Sequence, residues 1–574
     1  MDKISKKNKM ISNRIKKLKK ILNQLKLDGY VVPKNDEFFS EYSNRDWLKK
    51  ISNFSGSAGY AVILKKKNYL FVDNRYTIQA GIESGKKFKI VDYKKIINCK
   101  IFKNLTLGLN PQFFTSHQIK NFFLTNNNVK LIRSKLIDKI FKNKDNKKKP
   151  FFSINNKVAG ENHFEKINKV IKIIKKNKAN YFFITAPENV AWLLNIRGYD
   201  NPNSPIPNCR MIIDKKKRIF LIAEFSKAKN LIYEKKINKE QIINPNELEF
   251  FLEKLDQGKI IIDNKSCSIY FENLIKKNLI IVKREDPIYL LKSVKNKSEI
   301  LNMISTHITD GVALTKFLYW IRKINKKTIT EYDAQNKLEN FRKKNKNYFF
   351  PSFNTIAGAG KNAAIVHYRA DKKRSKKIQK KDIFLCDSGG QYKYGTTDVT
   401  RTICFKKQNL RIKNVFTNVL KGHIAVVKSD LKKDFCGKMI DVRARKFLKR
   451  DGLDYGHGTG HGVGFFLNVH EGPLAISKFN DVKIREGMIL SNEPGYYEKN
   501  KFGIRIENLI YVKKKKNKVF FKNLTLAPID KDLINFDLLN QMEKDYLFQY
   551  HLEVYSKLSG FLNKNEKKWL ASFI

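Results

Sequence analysis

Residues 455–473 read YGHGTGHGVGFFLNVHEGP and hold His457, His461 and His470, three of the nine histidines in the chain. Glycines surround the first two of these histidines. Because each glycine costs about 1 kcal/mol relative to alanine inside a helix, this spacing predicts a loop or an extended strand. Glycine also permits close backbone approach, which suits a site where side chains converge on a small centre. The apolar run FFLNV that follows predicts a strand.

Two aspartates lie in a predicted hairpin, within the stretch IFLCDSGGQYKYGTTDVTRTICF (383–405). Asp387 ends an apolar strand, the glycines supply turns, and Asp398 begins the returning strand. Carboxylates placed in this way around a hairpin can face one another.

Two glutamates also end or interrupt apolar runs. Glu493 ends a strand in MILSNEPGYY (488–497), and Glu507 alternates with isoleucines in GIRIENLIYV (503–512). A carboxylate is expensive to bury unless it is paired or bound to a metal. Two Asp, two Glu and one His form an oxygen-rich ligand set, which suits two closely spaced divalent ions and favours Mn²⁺ over thiolate-preferring metals.

The motifs DSGGQYKYGTTDVTRT, GHGTGHGVGFFLNVHEGP, LSNEPGYY and GIRIEN resemble those of the pita-bread metallopeptidases of family M24, specifically the Xaa-Pro aminopeptidases. Further stretches, among them PENVAWLLNIRG and LTLAPIDKDLI, are similar to the long three-domain form, so the likeness covers nearly the whole chain. The resemblance implies that five residues hold a dinuclear metal centre: Asp387, Asp398, His461, Glu493 and Glu507.

The same resemblance implies roles for residues around the metal ligands. His367, His457 and His470 are expected to line the substrate site and to act in catalysis together with Glu493. Arg75 is expected to contribute to peptide binding from the first domain, and Arg505 to support the metal cluster from behind its ligands.

The implied reaction is hydrolysis of the peptide bond between an N-terminal residue and a following proline. Two divalent ions, Mn²⁺ or alternatively Zn²⁺ or Co²⁺, are expected to activate a water molecule as hydroxide, and Glu493 to take its proton. Two alternatives stay open: an Xaa-Pro dipeptidase (prolidase), and a non-catalytic pseudo-peptidase binding module. The complete ligand set counts against the module, and the additional domain counts against the dipeptidase.

The expected fold class is α/β (α+β), with two creatinase-N-like α/β domains, a pita-bread catalytic domain and a short C-terminal extension packed on it. The first two segments each contain a helix, an apolar strand, a tryptophan stretch (around Trp47 or Trp192) and further strands, which indicates a duplicated domain. Lysine-rich sequence ending at Pro150 predicts the first linker. The expected bounds are 1–150, 151–288, 289–512 and 513–574.

The composition is strongly basic, with 116 Lys and Arg against 54 Asp and Glu. Because the lysine runs recur along most of the chain and do not mark one face, we expect no specific nucleic-acid partner. Six scattered cysteines without metal-binding spacing, and the lack of a signal-like or membrane-spanning apolar run, predict a cytoplasmic protein without a membrane partner. The resemblance suggests a homodimer whose substrates are peptides with proline at the second position.

Overall fold

A computed structural model describes residues 2–73, 76–96, 102–124, 126–140, 149–324, 328–373 and 375–574. The chain divides into two compact units: unit 1 is Met1–Asn156 with Glu161–Ile288, and unit 2 is Lys157–Gly160 with Tyr289–Ile574. The finer division into four segments stays a prediction. Among the described residues, the helices are all too short or too polar to traverse a lipid bilayer.

Unit 1 is built on two six-stranded sheets and a two-stranded ribbon. Its strands are β1 (Gly29–Pro33), β2 (Tyr60–Leu64), β3 (Asn68–Val72), β4 (Lys89–Asp92), β5 (Thr106–Leu109), β6 (Asn128–Leu131), β7 (Phe152–Ser153), β8 (Tyr181–Ile184), β9 (Ile196–Arg197), β10 (Arg210–Asp214), β11 (Ile219–Ile222), β12 (Ile242–Ile243), β13 (Lys259–Ile262) and β14 (Ile280–Lys283).

The two large sheets have the same topology. The first has the order β4-β3-β2-β1-β5-β6, and the second has the order β12-β11-β10-β8-β13-β14. In the first, β1 is antiparallel to β2 and parallel to β5; in the second, β8 is antiparallel to β10 and parallel to β13. Trp47 lies between β1 and β2, and Trp192 lies between β8 and β10. The structure therefore confirms the internal repeat that the sequence indicates.

Helices cover these sheets and bury their apolar faces. Those that begin before residue 288 are α1 (Asp2–Gln24), α2 (Trp47–Ser52), α3 (Thr77–Ser84), α4 (Ser116–Phe122), α5 (Leu136–Ile140), α6 (Asn156–Ala159), α7 (His163–Lys176), α8 (Pro187–Leu193), α9 (Phe225–Tyr233), α10 (Leu248–Glu253) and α11 (Ile269–Ile275).

Unit 2 contains short antiparallel sheets. Its strands are β15 (Tyr348–Pro351), β16 (Ile356–Ala359), β17 (Ile383–Ser388), β18 (Gly390–Tyr392), β19 (Gly395–Thr396), β20 (Val399–Cys404), β21 (Gly460–Gly462), β22 (Glu471–Ile476), β23 (Ile489–Asn492), β24 (Gly495–Glu498), β25 (Phe502–Arg505), β26 (Asn508–Lys515) and β27 (Lys518–Asn523). The sheet orders are β15-β18-β19, β16-β17-β20, β22-β21-β23-β26-β27 and β24-β25.

Three helices precede these strands, two lie between β20 and β21, and two follow β27. The remaining helices are α12 (Ile288–Ser293), α13 (Lys297–Lys323), α14 (Glu331–Lys343), α15 (Leu410–Val427), α16 (Gly437–Arg450), α17 (Gln541–Leu558) and α18 (Lys564–Ala571). Helices α7, α13, α17 and α18 begin with the same capping box, an asparagine N-cap followed three residues later by glutamate. Side chains of α17 and α18, including Val554 and Leu570, share one core with the central strands.

Candidate metal centre

The two aspartates reach the site from one antiparallel strand pair. Asp387 lies in β17, and Asp398 immediately precedes β20. Strand pairing places Asp387 opposite Thr400, so both carboxylates lie at the same end of the pair. This placement agrees with the hairpin geometry expected from the sequence.

The other three residues come from the second half of unit 2. His461 is the central residue of β21, Glu493 follows β23, and Glu507 lies between β25 and β26. Gly462 pairs with Leu490, which brings the end of β23 beside His461. The amide of Glu493 donates to the carbonyl of Thr459, just before β21.

All five side chains converge. Oxygen atoms of Asp387, Asp398 and Glu507 lie within 4.8 Å of one another, and so do donor atoms of His461, Glu493 and Glu507. Glu507 thus belongs to both groups. The two groups also approach each other, since Nε2 of His461 lies 3.5 Å from Oδ2 of Asp398 and 3.4 Å from Oε1 of Glu493.

The cluster carries more negative than positive charge, and this imbalance shifts the pKa values of its members. Burial, together with Asp398 and Glu493 nearby, raises the pKa of Asp387 to about 7, although Arg505 opposes the shift. Burial and the same two carboxylates also raise the pKa of Glu507 well above its usual value. Burial lowers the pKa of His461, but Asp398 and Glu493 outweigh it and raise the value to about 9. A proton is therefore retained where a cation would otherwise balance the charge.

Atoms of the cluster that could bind a metal also point toward its interior. Oδ1 of Asp387 is buried and has no hydrogen-bond partner within the part of the chain that the structure describes. Nδ1 of His461 lies 3.0 Å from the carbonyl of Gly462 and donates to it, so Nε2 is the nitrogen that faces the carboxylates and can bind a cation once its proton is displaced. Buried acceptors facing one another without donors are costly unless a cation lies among them. The arrangement fits two divalent cations.

A second layer of hydrogen bonds fixes the acidic side chains. Arg505 donates from Nη2 to Oδ2 of Asp387 at 2.6 Å and from Nε to the hydroxyl of Thr400 at 3.0 Å. Thr400 in turn donates to Oε2 of Glu507 at 2.7 Å. Ser491 donates to Oε1 of Glu493 at 3.0 Å and accepts from the amide of His461. Arg505 thus contacts Asp387 directly, and its supporting role stays a prediction, whereas Thr400 and Ser491 were not predicted.

His457 is joined to Arg505 through Tyr497, another residue that the sequence analysis missed. Nη1 of Arg505 donates to the phenolic oxygen of Tyr497 at 2.6 Å, and that oxygen lies 2.9 Å from Nε2 of His457. Nδ1 of His457 lies 2.8 Å from the carbonyl of Gly458. Because Arg505 can only donate, Tyr497 donates onward to Nε2, and Nδ1 of His457 carries the ring proton.

Of the remaining predicted site residues, His470 lies beside the cluster. The ring of His470 is exposed and meets the ring of His461 edge to face, with 4.5 Å between centroids. His367 lies half-buried in the segment between β16 and β17. Arg75 lies outside the described residues. Contact of these three residues with substrate stays a prediction.

Relatives that match almost the whole chain identify its family. The chain is 35% identical to a protein of Laccaria bicolor named a probable Xaa-Pro aminopeptidase P, with 97% of this chain and 92% of the relative covered. It is 34% identical to a protein of the same name from Paracoccidioides brasiliensis, with 97% and 98% covered. The chain belongs to metallopeptidase family M24.

Family models divide the M24 chain in chain order. Residues 14–137 and 142–299 each match a creatinase/prolidase N-terminal domain, in agreement with the two equivalent sheets of unit 1. Residues 302–514 match the metallopeptidase family M24 and hold all five converging side chains, and residues 519–572 match the C-terminal region of that family.

Solved structures of family members show the same fold. The X-prolyl aminopeptidase of Caenorhabditis elegans, a cytosolic enzyme with a di-nuclear active site, superimposes with a TM-score of 0.90 at 27% identity, covering 98% of this chain and 99% of that one. A prolidase from Pyrococcus furiosus reaches a TM-score of 0.50 at 26% identity, but it covers only 62% of this chain. The M24 chain therefore has the longer architecture along its whole length.

The glycines of the opening motif have a steric purpose in this M24 site. A Cβ on Gly460 would lie 2.0 Å from the carbonyl oxygen of Ser491, and one on Gly462 would lie 2.2 Å from that of Glu471. Strand β21 is thus held closely between β22 and β23 only because these positions lack side chains. The close approach delivers His461 to the carboxylates.

The apolar run that follows β21 is buried, but it does not form the predicted strand. Phe466 adopts a φ of 49°, and the amide of Gly464 donates to the carbonyl of Asn468 at 2.9 Å. The prediction of a strand was wrong because a left-handed residue ends an extended run, and periodicity cannot reveal it. The resulting turn connects His461 to His470.

Glu471, which follows His470, forms a buried ion triad with Lys292 and Lys295. All three side chains are at most 2% exposed, and Lys292 lies 3.1 Å from Oε2 of Glu471. Burial raises the pKa of Glu471, but the two lysines outweigh it and hold the value below its usual range. The triad fixes the start of β22 to the segment that precedes α13.

Proposed function

We propose that this chain is an Xaa-Pro aminopeptidase, which hydrolyses the peptide bond between an N-terminal residue and a following proline. The observation that supports this most directly is the convergence of four acidic side chains and one imidazole in the M24 segment. Relatives named Xaa-Pro aminopeptidase P, which match almost end to end, support the choice of substrate class.

We assign the binding of two divalent cations to Asp387, Asp398, His461, Glu493 and Glu507. When bound, such a pair supplies Lewis acidity, which lowers the pKa of a water nucleophile and polarises the scissile carbonyl. Mn²⁺ is the proposed metal because oxygen donors dominate the set, with a single imidazole and no thiolate; Zn²⁺ and Co²⁺ are the alternatives.

Side chains of the protein accept and donate the protons of the reaction. Glu493 accepts the proton of the attacking water at the carboxylate oxygen that Ser491 does not occupy. His470 and His367 donate to the carbonyl oxygen as it gains negative charge, and His457 orients the substrate from its contact with Tyr497. Thr400 and Arg505 keep Glu507 and Asp387 in place throughout.

Selection of proline follows from its chemistry. An Xaa-Pro bond is a tertiary amide without an N–H group, so the enzyme recognises the ring by shape instead of by a hydrogen bond to that nitrogen. A free N-terminal amine is required for release of single residues, and Arg75 is proposed to bind the peptide beyond the proline.

Assembly and location complete the proposal. We propose a homodimer in the cytoplasm, acting on peptides with proline at the second position. The four-part division at 1–150, 151–288, 289–512 and 513–574 is likewise proposed, and the ranges of the four family matches support it.

The deciding experiment measures release of the N-terminal residue from an Arg-Pro-Pro-type peptide and from an Xaa-Pro dipeptide. Protein is tested as purified, after chelation, and after addition of Mn²⁺. Mn²⁺-dependent turnover of the longer peptide supports the proposal. Turnover confined to dipeptides indicates a prolidase, and no turnover with any metal indicates a binding module. Asp387→Asn serves as the variant without turnover.

A further inference from the structure

Unit 1 contains a cavity of about 570 Å³, which is separate from the metal centre in sequence and lies in the other unit. Its wall combines the loop after β1, the segment before β10, and the start of α11. The volume lies within the range of about 300–1,000 Å³ that small-molecule sites occupy.

The charge of this cavity differs from that of the chain as a whole. The chain has 116 basic against 54 acidic residues. The cavity wall has five carboxylates: Asp36, Glu37, Asp200, Glu224 and Glu249. Against them it has four cations: Arg45, Lys135, Arg210 and Lys227. The wall thus has nearly equal numbers of negative and positive groups, although the protein as a whole is strongly basic. This balance favours a ligand that carries both a positive and a negative charge.

Some of these charged groups already satisfy one another. Lys227 lies 2.7 Å from Oδ1 of Asp200. Glu249 accepts from the hydroxyl of Tyr270 at 3.1 Å. These pairs build the wall, whereas Arg210 and Glu37 each keep unused hydrogen-bonding capacity.

Arg210 is a buried guanidinium held between two aromatic rings. The residue is 6% exposed, and its Cζ lies 4.1 Å from the ring centroid of Phe38 and 4.7 Å from that of Phe271. Within the described part of the chain its guanidinium makes one hydrogen bond, from Nη2 to the backbone carbonyl of Glu37 at 2.5 Å. A guanidinium offers five N–H donors, so a buried one with a single acceptor is prepared for an anionic partner.

Glu37 offers the complementary charge at the same place. Its Oε2 is buried and has no hydrogen-bond partner among the described residues, while Oε1 lies 3.6 Å from Lys135 and 3.9 Å from Arg45. Burial raises the pKa of Glu37, but Lys135, Arg45 and Arg210 outweigh it and lower the value. The carboxylate therefore stays ionised, and its buried Oε2 lacks a hydrogen-bond donor.

We propose that this cavity binds a free α-amino acid, with the ligand carboxylate on Arg210 and the ligand ammonium on Oε2 of Glu37. The side chain of Arg210 donates to the backbone of Glu37, so the cation and the acceptor lie side by side, as the two charges of an amino acid do. The aromatic residues Tyr199 and Tyr270 in the wall supply a surface for the ligand side chain.

Isothermal titration of the full-length, metal-loaded protein with a panel of free amino acids tests this proposal. We expect at least one amino acid to bind with one site per chain, and its N-acetyl and carboxamide derivatives to bind at least about tenfold more weakly, because each loses one charged hydrogen bond. Binding is expected to persist in Asp387→Asn, which disables the metal centre. Failure of the proposed peptidase activity would therefore leave this result unaffected.

Two substitutions locate the site. Glu37→Gln and Arg210→Lys are each expected to weaken binding at least about tenfold. Their matched controls are Glu253→Gln and Arg218→Lys, which alter exposed side chains outside the cavity and should leave affinity unchanged.

Circular dichroism and thermal melting check that the variants fold; if Arg210→Lys does not fold, Glu37→Gln alone decides. The proposal is overturned if no amino acid binds more tightly than about 1 mM. It is also overturned if blocked derivatives bind equally well, or if Glu37→Gln binds like Glu253→Gln.

Discussion

The guanidinium of Arg505 holds the carboxylate of Asp387, with 2.6 Å between Nη2 and Oδ2 and both side chains largely buried. Arg505→Met removes this contact and keeps most of the apolar volume. We expect the affinity for Mn²⁺ to fall about 10–100-fold, as is usual when a group that orients a metal ligand is lost. Titration of chelated protein with Mn²⁺ measures the change.

The matched control for this prediction is Arg411→Met. Arg411 forms an ion pair of 2.7 Å with Glu498, but its side chain is 61% exposed. The control should bind Mn²⁺ as the unmodified protein does. Equal affinity in Arg505→Met and Arg411→Met would show that Asp387 needs no counter-charge for metal binding.

The phenol of Tyr497 links Arg505 to His457, and Tyr497→Phe removes only this oxygen. We expect kcat/KM for an Xaa-Pro-Pro peptide to fall about tenfold, the loss of roughly one buried hydrogen bond, because His457 is no longer oriented. Mn²⁺ affinity should change much less, since Tyr497 makes no contact with the five converging residues among its described hydrogen bonds.

Tyr496→Phe is the control for the phenol. Tyr496 is the preceding residue and packs against Phe502 and the apolar core. Steady-state kinetics of both variants should separate them. A fall in Mn²⁺ affinity that matches the fall in kcat/KM would contradict a role confined to His457.

The metal-free protein should lose stability as the pH rises. The pKa of Asp387 is raised to about 7 in the folded chain, from 3.8, and that of His461 to about 9, from 6.5. Both folded values exceed the unfolded ones, so each contribution to stability is complete below the unfolded pKa and is lost as the pH passes through the folded pKa. Melting curves of chelated protein should therefore shift to lower temperature between pH 5 and pH 9, which is roughly the span of these shifts.

Bound cations replace these protons. Because the metal-free protein is less stable at high pH, Mn²⁺ should raise the melting temperature more at about pH 9 than at about pH 6. At a free concentration of 100 times Kd, binding stabilises a protein by about 2.7 kcal/mol. Calorimetry with and without Mn²⁺ at several pH values checks both trends. A metal-induced shift that is largest at low pH would contradict the assignment of the cluster.

The convergence of the five side chains could be anticipated from the sequence because each lies in a short, distinctive motif at the end or in the middle of an apolar run. The duplicated sheets of unit 1 were likewise visible as a repeated order of helix, strand and tryptophan. Such signals are local, so they can be recognised in a single sequence without knowledge of the fold.

Contacts set by strand pairing were not visible. Tyr497 reaches Arg505 because Gly495 pairs with Arg505 across β24 and β25, a register that the sequence does not state. In the sequence, nothing distinguishes Thr400 from a solvent-facing threonine. Its role follows only from its contacts with Arg505 and Glu507 in the folded chain. The turn at Phe466 depends on a backbone angle that apolar periodicity does not encode.

The ion triad of Glu471, Lys292 and Lys295 joins segments about 176 residues apart and is almost completely buried. Glu471→Gln leaves two buried lysines without their counter-charge. We expect this change to lower the free energy of unfolding by about 3–5 kcal/mol, as is usual when one partner of a buried ion pair is lost. Urea denaturation followed by tryptophan fluorescence measures it. Glu553→Gln, which alters a partly exposed pair with Lys522, should cost less than about 1 kcal/mol. Because Glu471 follows His470, turnover should also fall in Glu471→Gln at temperatures where the variant is folded; unchanged stability and unchanged turnover would together show that the triad neither supports the fold nor positions His470.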